Sequence, residues 1–248
     1  MIVFDFDAVS REIGAFAGIA KQFIDPGCSH VLPTLQQHLR LIRSSKKRTP
    51  SIWGIPSDSP LRTTVSAGAY EQDPRRGPLH VYAEITSVWE IFCPDEKTKK
   101  ASLQRHFELA GKASTRVEII KLHNTEKTTI GVFHVDVGDM HSPGCHFHVQ
   151  VLQERQHVMF PKDLSVPRFP TILVTPCSVV EFVLAELFQS DWRKQASRAT
   201  NDMSTWRDVQ IPRFERFLDW QMRVLKQSTT SPWTNFKNTK PIYNLFAP

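Results

Sequence analysis

Apolar side chains near the start of the chain recur at helical spacing. Val9, Ile13, Phe16, Ala20 and Phe23 succeed one another at intervals of four, three, four and three, so they share one stripe. A helix over 8–24 is predicted, with Asp7 as N-cap and Pro26-Gly27 as its stop. Leu35, Leu39 and Ile42 predict a second, from Pro33 to about Ser44. The pattern then lapses. Between 49 and 78 the chain carries Pro50, Pro56, Pro60 and Pro74 among serines and threonines, and reads as a long loop or linker.

From Leu79 to Leu152 the texture changes to alternation. HVYAEITSVWEIF is rich in aromatic and β-branched residues, a strand composition. The connector DEKTKKASLQR leads to a short strand near His106 to Ala110, then to TRVEIIKL. IGVFHVDV and GCHFHVQVL, joined by GDMHSP, predict a hairpin. VPRFPT at 166–171 is extended. Thr175-Pro176 opens a helix to about Gln195 with Val180, Val183, Leu184, Leu187 and Phe188 as its buried stripe. A last helix runs from Pro212 to Gln227. The tail is polar but holds Trp233, Phe236, Tyr243 and Phe246, which suits packing on the body or on a partner.

Helices, then strands with short connections, then helices make an α+β fold. The expected architecture is an antiparallel meander sheet or half-barrel flanked by N-terminal and C-terminal helices. Its parts are a helical region at 1–48, the linker at 49–78, an α+β core domain at 79–227 and a tail at 228–248. The chain has 248 residues, enough for one large domain or two small ones.

Charge adds a direction. The formal net charge is +6, which favours acidic partners such as nucleic acid. Lys97, Lys99, Lys100, Arg105, Lys112, Arg116 and Lys121 recur near the sheet, and Arg168 between prolines is suited to clamp a phosphate or to pair with Asp136 or Glu181. Cys28, Cys93, Cys145 and Cys177 show no CxxC spacing, and no signal-peptide or membrane-span pattern appears. A reduced, cytoplasmic protein with no membrane association is expected.

The hairpin concentrates the chemistry. Parity puts Val132, His134 and Asp136 on one face and Phe133, Val135 and Val137 on the other. His146, His148 and Gln150 likewise oppose Cys145, Phe147 and Val149. With the apolar faces together, a register setting His134 opposite His148 also sets Asp136 opposite His146. His134, Asp136, His146 and His148 are then candidate ligands for a divalent ion such as Zn, Mn or Mg, with Gln150 orienting a ligand or water. The plainer alternative is a solvated polar face with scattered histidines. Parity turns Cys145 away from His146 and His148, against a catalytic thiol.

PGCHFHVQV resembles the HxH strand of HUH endonucleases, the relaxase and replication-initiator proteins. That resemblance implies a metal on His146 and His148 that polarises a scissile phosphate. The family's tyrosine nucleophile has no match: Tyr70, Tyr82 and Tyr243 lie off the predicted helices, so metal-activated water replaces it here. The stretch also resembles a cupin motif, but Glu154 is spaced too far from His148. FELAGKASTRVEI, HSPGCHFHVQV and VPRFPT together resemble a family of small bacterial proteins of unknown function, across about 105–190. This implies a bacterial defence or mobile-element setting and no activity. IVFDFDAV resembles the first motif of haloacid-dehalogenase-like phosphatases through Asp5 and Asp7. The predicted helix and meander after it depart from that family's parallel α/β arrangement, and helix capping accounts for the motif. The expected function is a nucleic-acid-binding protein with metal-dependent phosphodiesterase (nuclease) activity. The alternative is a non-enzymatic subunit or adaptor whose aromatic tail docks a protein partner.

Overall fold

A computed structural model describes residues 2–45, 49–66, 79–93, 105–138, 145–152 and 168–247. β1 (Val3–Asp5) runs directly into α1 (Phe6–Ala20). Asp5 is the N-cap, and its carboxylate accepts from Ala8 N at 2.8 Å. The expected cap, Asp7, lies in the first turn and pairs with Arg43. The boundary moves because the apolar residues before it pair as a strand, so the helix starts where that pairing ends. Val9, Ile13, Phe16 and Ala20 form the buried stripe as predicted. Single turns at Lys21–Phe23 and Pro26–Cys28 lead to α2 (Val31–Ser44).

The region expected to be a loop contributes β2 (Ser51–Trp53) and β3 (Leu61–Arg62). Both pair with one edge of β4 (Val81–Phe92), β2 opposite residues 89–91 and β3 opposite 84–85. Strands of three and two residues are too short to show alternation. β5 (His106–His123) is one strand where two were expected. Its pairing with β4 jumps from Leu109↔Ile91 to Ala113↔Trp89, so Ala110, Gly111 and Lys112 bulge opposite Glu90. A Cβ on Gly111 would lie 2.1 Å from Glu90 Oε2, so a side chain there would displace the Glu90 carboxylate.

A two-residue turn, with Asn124 at φ 55°, leads to β6 (Glu126–Val137). β7 (Phe147–Leu152) and β8 (Arg168–Pro170) come next. Every strand pairing is antiparallel, in the order β2, β4, β5, β6, β7, β8, with β3 beside β4 and β1 beside β5. The protein is therefore α+β, with helices flanking an antiparallel sheet.

Three more helices complete the described chain: α3 (Pro176–Ala196), α4 (Asn201–Lys226) and α5 (Pro232–Asn238). A capping box of Thr175 and Ser178 starts α3 where predicted. The helix breaks at Gln189, at φ 36°, and the Ser66 hydroxyl donates to the Leu187 carbonyl at 2.5 Å beside the break. α4 starts at Asn201, capped by Thr200, and carries Pro212 in its interior. The sequence reading starts this helix at the proline because proline suits a first turn. Burial of Met203, Trp206 and Val209 carries the helix through it.

The apolar sheet face packs on these helices. Phe147 meets Phe217, Trp220 and Phe246 edge-on, and Phe133 meets Phe182 of α3. Phe4 of β1 stacks on Phe107 and Phe246. The tail thus packs on the body: Phe246 is core, and the Tyr243 hydroxyl donates to Glu108, which pushes the phenol up to about 12. Among the described residues no helix is long and apolar enough to cross a membrane.

One buried polar network joins the helices. Glu12 of α1 is fully buried and lies 2.8 Å from Arg213 of α4, itself buried. The hydroxyl of Thr175, which caps α3, also donates to Glu12. Nearby, burial pushes the Glu181 carboxyl up to about 6, against the stabilising hydrogen bond from the Trp206 indole at 3.2 Å.

Removing one partner of a buried ion pair strands the other. Arg213→Met is expected to cost about 3–5 kcal/mol in urea denaturation, and adding Glu12→Leu is expected to recover most of it. Glu181 binds its proton more tightly folded than unfolded. Its contribution is full below pH ~4.5 and fades as pH rises through about 6. Glu181→Gln is therefore expected to gain on the wild type across that window by on the order of 1–2 kcal/mol, read as a Tm difference growing with pH.

Candidate functional site

Residues directly opposite one another on paired strands share a face. Across β4 to β8 the pairings build rows on the face turned away from the aromatic core. One row is Val88, Ser114, Asp136, His148 and Pro170. The next is Thr86, Arg116, His134, Gln150 and Arg168. A third begins with Arg62, Glu84, Glu118 and Val132.

The expected register is corrected by two residues. Asp136 lies opposite His148 rather than His146, and His134 lies opposite Gln150 rather than His148. Both registers keep the apolar faces together, so parity alone does not choose between them. Packing chooses: Phe147 sits opposite Val137, where its ring enters the Phe217–Trp220 cluster, and Gly138 N donates to the His146 carbonyl at 2.6 Å to close the pairing.

His148 is buried at 3 % exposure. Its Nδ1 lies 2.8 Å from the Cys145 carbonyl oxygen, which can only accept, so Nδ1 carries the proton. In the neutral ring this leaves the Nε2 lone pair, 3.7 Å from Asp136 Oδ2. A backbone carbonyl fixing one ring nitrogen is the usual way an imidazole is oriented toward a metal. Two donors on one ion at about 2.1 Å stand about 3–3.5 Å apart, so a small closure would let Asp136 and His148 share one. Cys145 is buried just before β7, and its carbonyl is the group that meets His148.

The other two expected ligands have neighbours of their own. His134 Nε2 lies 3.4 Å from Arg116 Nη1. His146 is buried just before β7, its ring edge-on to Phe147 at 5.2 Å. Among the described residues no group of three or more His, Cys, Asp and Glu side chains converges as a metal site. The register sets Asp136 and His148 directly opposite one another and carries His146 past the end of β6.

Charge on this face is balanced pair by pair. Arg116 Nε donates to Glu118 at 2.9 Å, Arg62 to Glu84 at 2.8 Å, and Arg105 to Asp5 at 3.0 Å. Lys112 is exposed in the β5 bulge. Lys97, Lys99 and Lys100 lie outside the described residues. Arg168 pairs through its backbone opposite Gln150, and its side chain lies outside what is described. Glu118 is absent from the site expected from the sequence, where Arg116 figures only as one of the basic residues near the sheet. The alternation in TRVEIIKL carries that signal once β5 is known to border β6.

No protein-family model, curated protein or solved structure matches the chain.

The register has a direct chemical test. Opposite residues lie within disulfide reach, whereas diagonal neighbours stand about 7–8 Å apart. Asp136→Cys with His148→Cys is expected to crosslink under mild oxidation, and His134→Cys with His148→Cys to stay reduced, by mass spectrometry of proteolytic fragments.

Proposed function

We propose that the protein is a nucleic-acid-binding phosphodiesterase whose centre is the Asp136–His148 pair with a divalent metal ion as cofactor. The observation that carries this reading is the wiring of His148, with Nδ1 held by the Cys145 carbonyl and Nε2 beside the Asp136 carboxylate. An imidazole and a carboxylate together suit Mn or Zn, and two protein donors leave positions for water and a phosphate oxygen. Such an ion would act as Lewis acid and lower the pKa of its water. Gln150 and His134, in the adjacent row, offer hydrogen bonds to the phosphate, and the position of Arg168 extends that row. The net charge of +6 favours a polyanionic substrate.

A second reading is a non-enzymatic subunit. Ile211, Leu218 and Met222 are exposed along one stripe of α4. With Phe246 committed to the core, this stripe supports protein docking better than the tail does.

Metal analysis of the purified protein separates the two. About one Mn or Zn per chain is expected, lost in both His148→Ala and Asp136→Asn, with cleavage of labelled oligonucleotides falling to about a hundredth or less. Metal-free protein that binds no added ion, with cleavage unchanged in either variant, would overturn the reading.

A further inference from the structure

Among the described strands, none pairs with β4 along a short stretch of its outer edge. β2 ends opposite Trp89 and β3 begins opposite Ile85, so Ser87 and Val88 face the loop between them. That loop is strapped down. Ile55 N donates to the Ser87 hydroxyl at 2.9 Å, and Ser87 N donates to the Ile55 carbonyl at 2.9 Å. Gly54, at φ 156°, makes the close approach possible, because a Cβ there would lie 2.0 Å from the Ser87 carbonyl oxygen. The Trp53 indole donates to the Leu35 carbonyl at 3.0 Å and ties α2 to the same edge.

A pocket of about 480 Å³ lies between α2, this loop and β4. Leu35, Ile52, Ile55 and Val88 give it apolar walls, and Thr34, His38, Ser57 and Ser59 bring hydroxyl and imidazole groups. Among the described lining residues none carries a fixed charge. Its size is that of a small-molecule site, and its walls are held by the bonds just described. Apolar walls with neutral donors and acceptors suit a flat, uncharged ring that has a hydrogen-bonding edge.

Location narrows the ligand. Val88 lines the pocket and heads the row that runs through Ser114 to Asp136 and His148. Val88 and Asp136 are two strand spacings apart, about 10 Å. One nucleotide bridges such a distance from its phosphate to the far edge of its base. We propose that the pocket is a base-binding subsite that selects a nucleotide beside the bond cleaved at Asp136 and His148. The choice of a nucleotide rests on the phosphodiesterase reading, whereas the pocket's preference for a flat, uncharged ring rests on its own walls.

The test is calorimetric titration of the full chain with adenosine, guanosine, cytidine and uridine, beside Val88→Trp, Thr34→Trp and Asp136→Asn. The two tryptophans fill the pocket from opposite walls, so one remains informative if the other fails to fold. Saturable single-site binding of at least one nucleoside is expected, weakened on the order of tenfold or more by either filling and retained in Asp136→Asn. Absence of nucleoside binding, or binding that survives a folded filled variant, would overturn the subsite, even with cleavage intact. Nucleoside binding lost on filling, in a protein that cleaves nothing, would uphold the subsite and remove the phosphodiesterase.

Discussion

The structure hangs on β5, whose two edges are both occupied. β4 runs along one side, and β6 and β1 share the other end to end. All these neighbours are antiparallel, so the face taken by each β5 residue is imposed on the residue opposite it, and on the next strand in turn. Val117 and Thr115 point to the helices and bring Phe133 and Val135 with them. Ser114 and Arg116 point the other way and bring Asp136 and His134. The bulge at Ala110–Lys112 lets one strand meet β1 at one end and β6 at the other.

The fold divides its polar chemistry between two environments. On the helical side, Glu12 and Arg213 are buried against one another, with Glu12 also held by the residue that caps α3 and Arg213 by Gln210. A network of that kind specifies how three helices meet. On the far side of the sheet, arginines are matched to glutamates on the same or the neighbouring strand. Those pairs fix the direction of each guanidinium and carboxylate, so the face presents ordered donors and acceptors to a ligand.

Legibility in the sequence tracks the length of each pattern. α1, α2, α3, β4, β6 and β7 each carry enough apolar positions for their period to show. β2 and β3 do not, and they lie where prolines suggest a linker. α4 reads short because Pro212 looks like a beginning when neighbouring burial is unknown. At the site, the strand pairing keeps Phe133, Val135 and Val137 on one face with Phe147, Val149 and Val151, and His134 and Asp136 on the other with His148 and Gln150, as parity assigns them. Parity does not assign the pairing partner, because a shift of two residues leaves every face unchanged. Only Phe147 entering a cluster made by α4 and the tail distinguishes the registers. The Glu12–Arg213 pair joins residues far apart in sequence, and no local period reports it.

Phe4 lies against Phe246 through both a backbone bridge and a stacked pair of rings, and Val3 N donates to the Tyr243 carbonyl at 3.0 Å. These contacts close a loop of more than two hundred residues, among the costliest closures a chain can make on the way to its native state. On the ribosome, residues 2–5 emerge long before 243–246. β1 must wait with one flank uncovered until residues 243–246 have been made, and that segment acts as a latch.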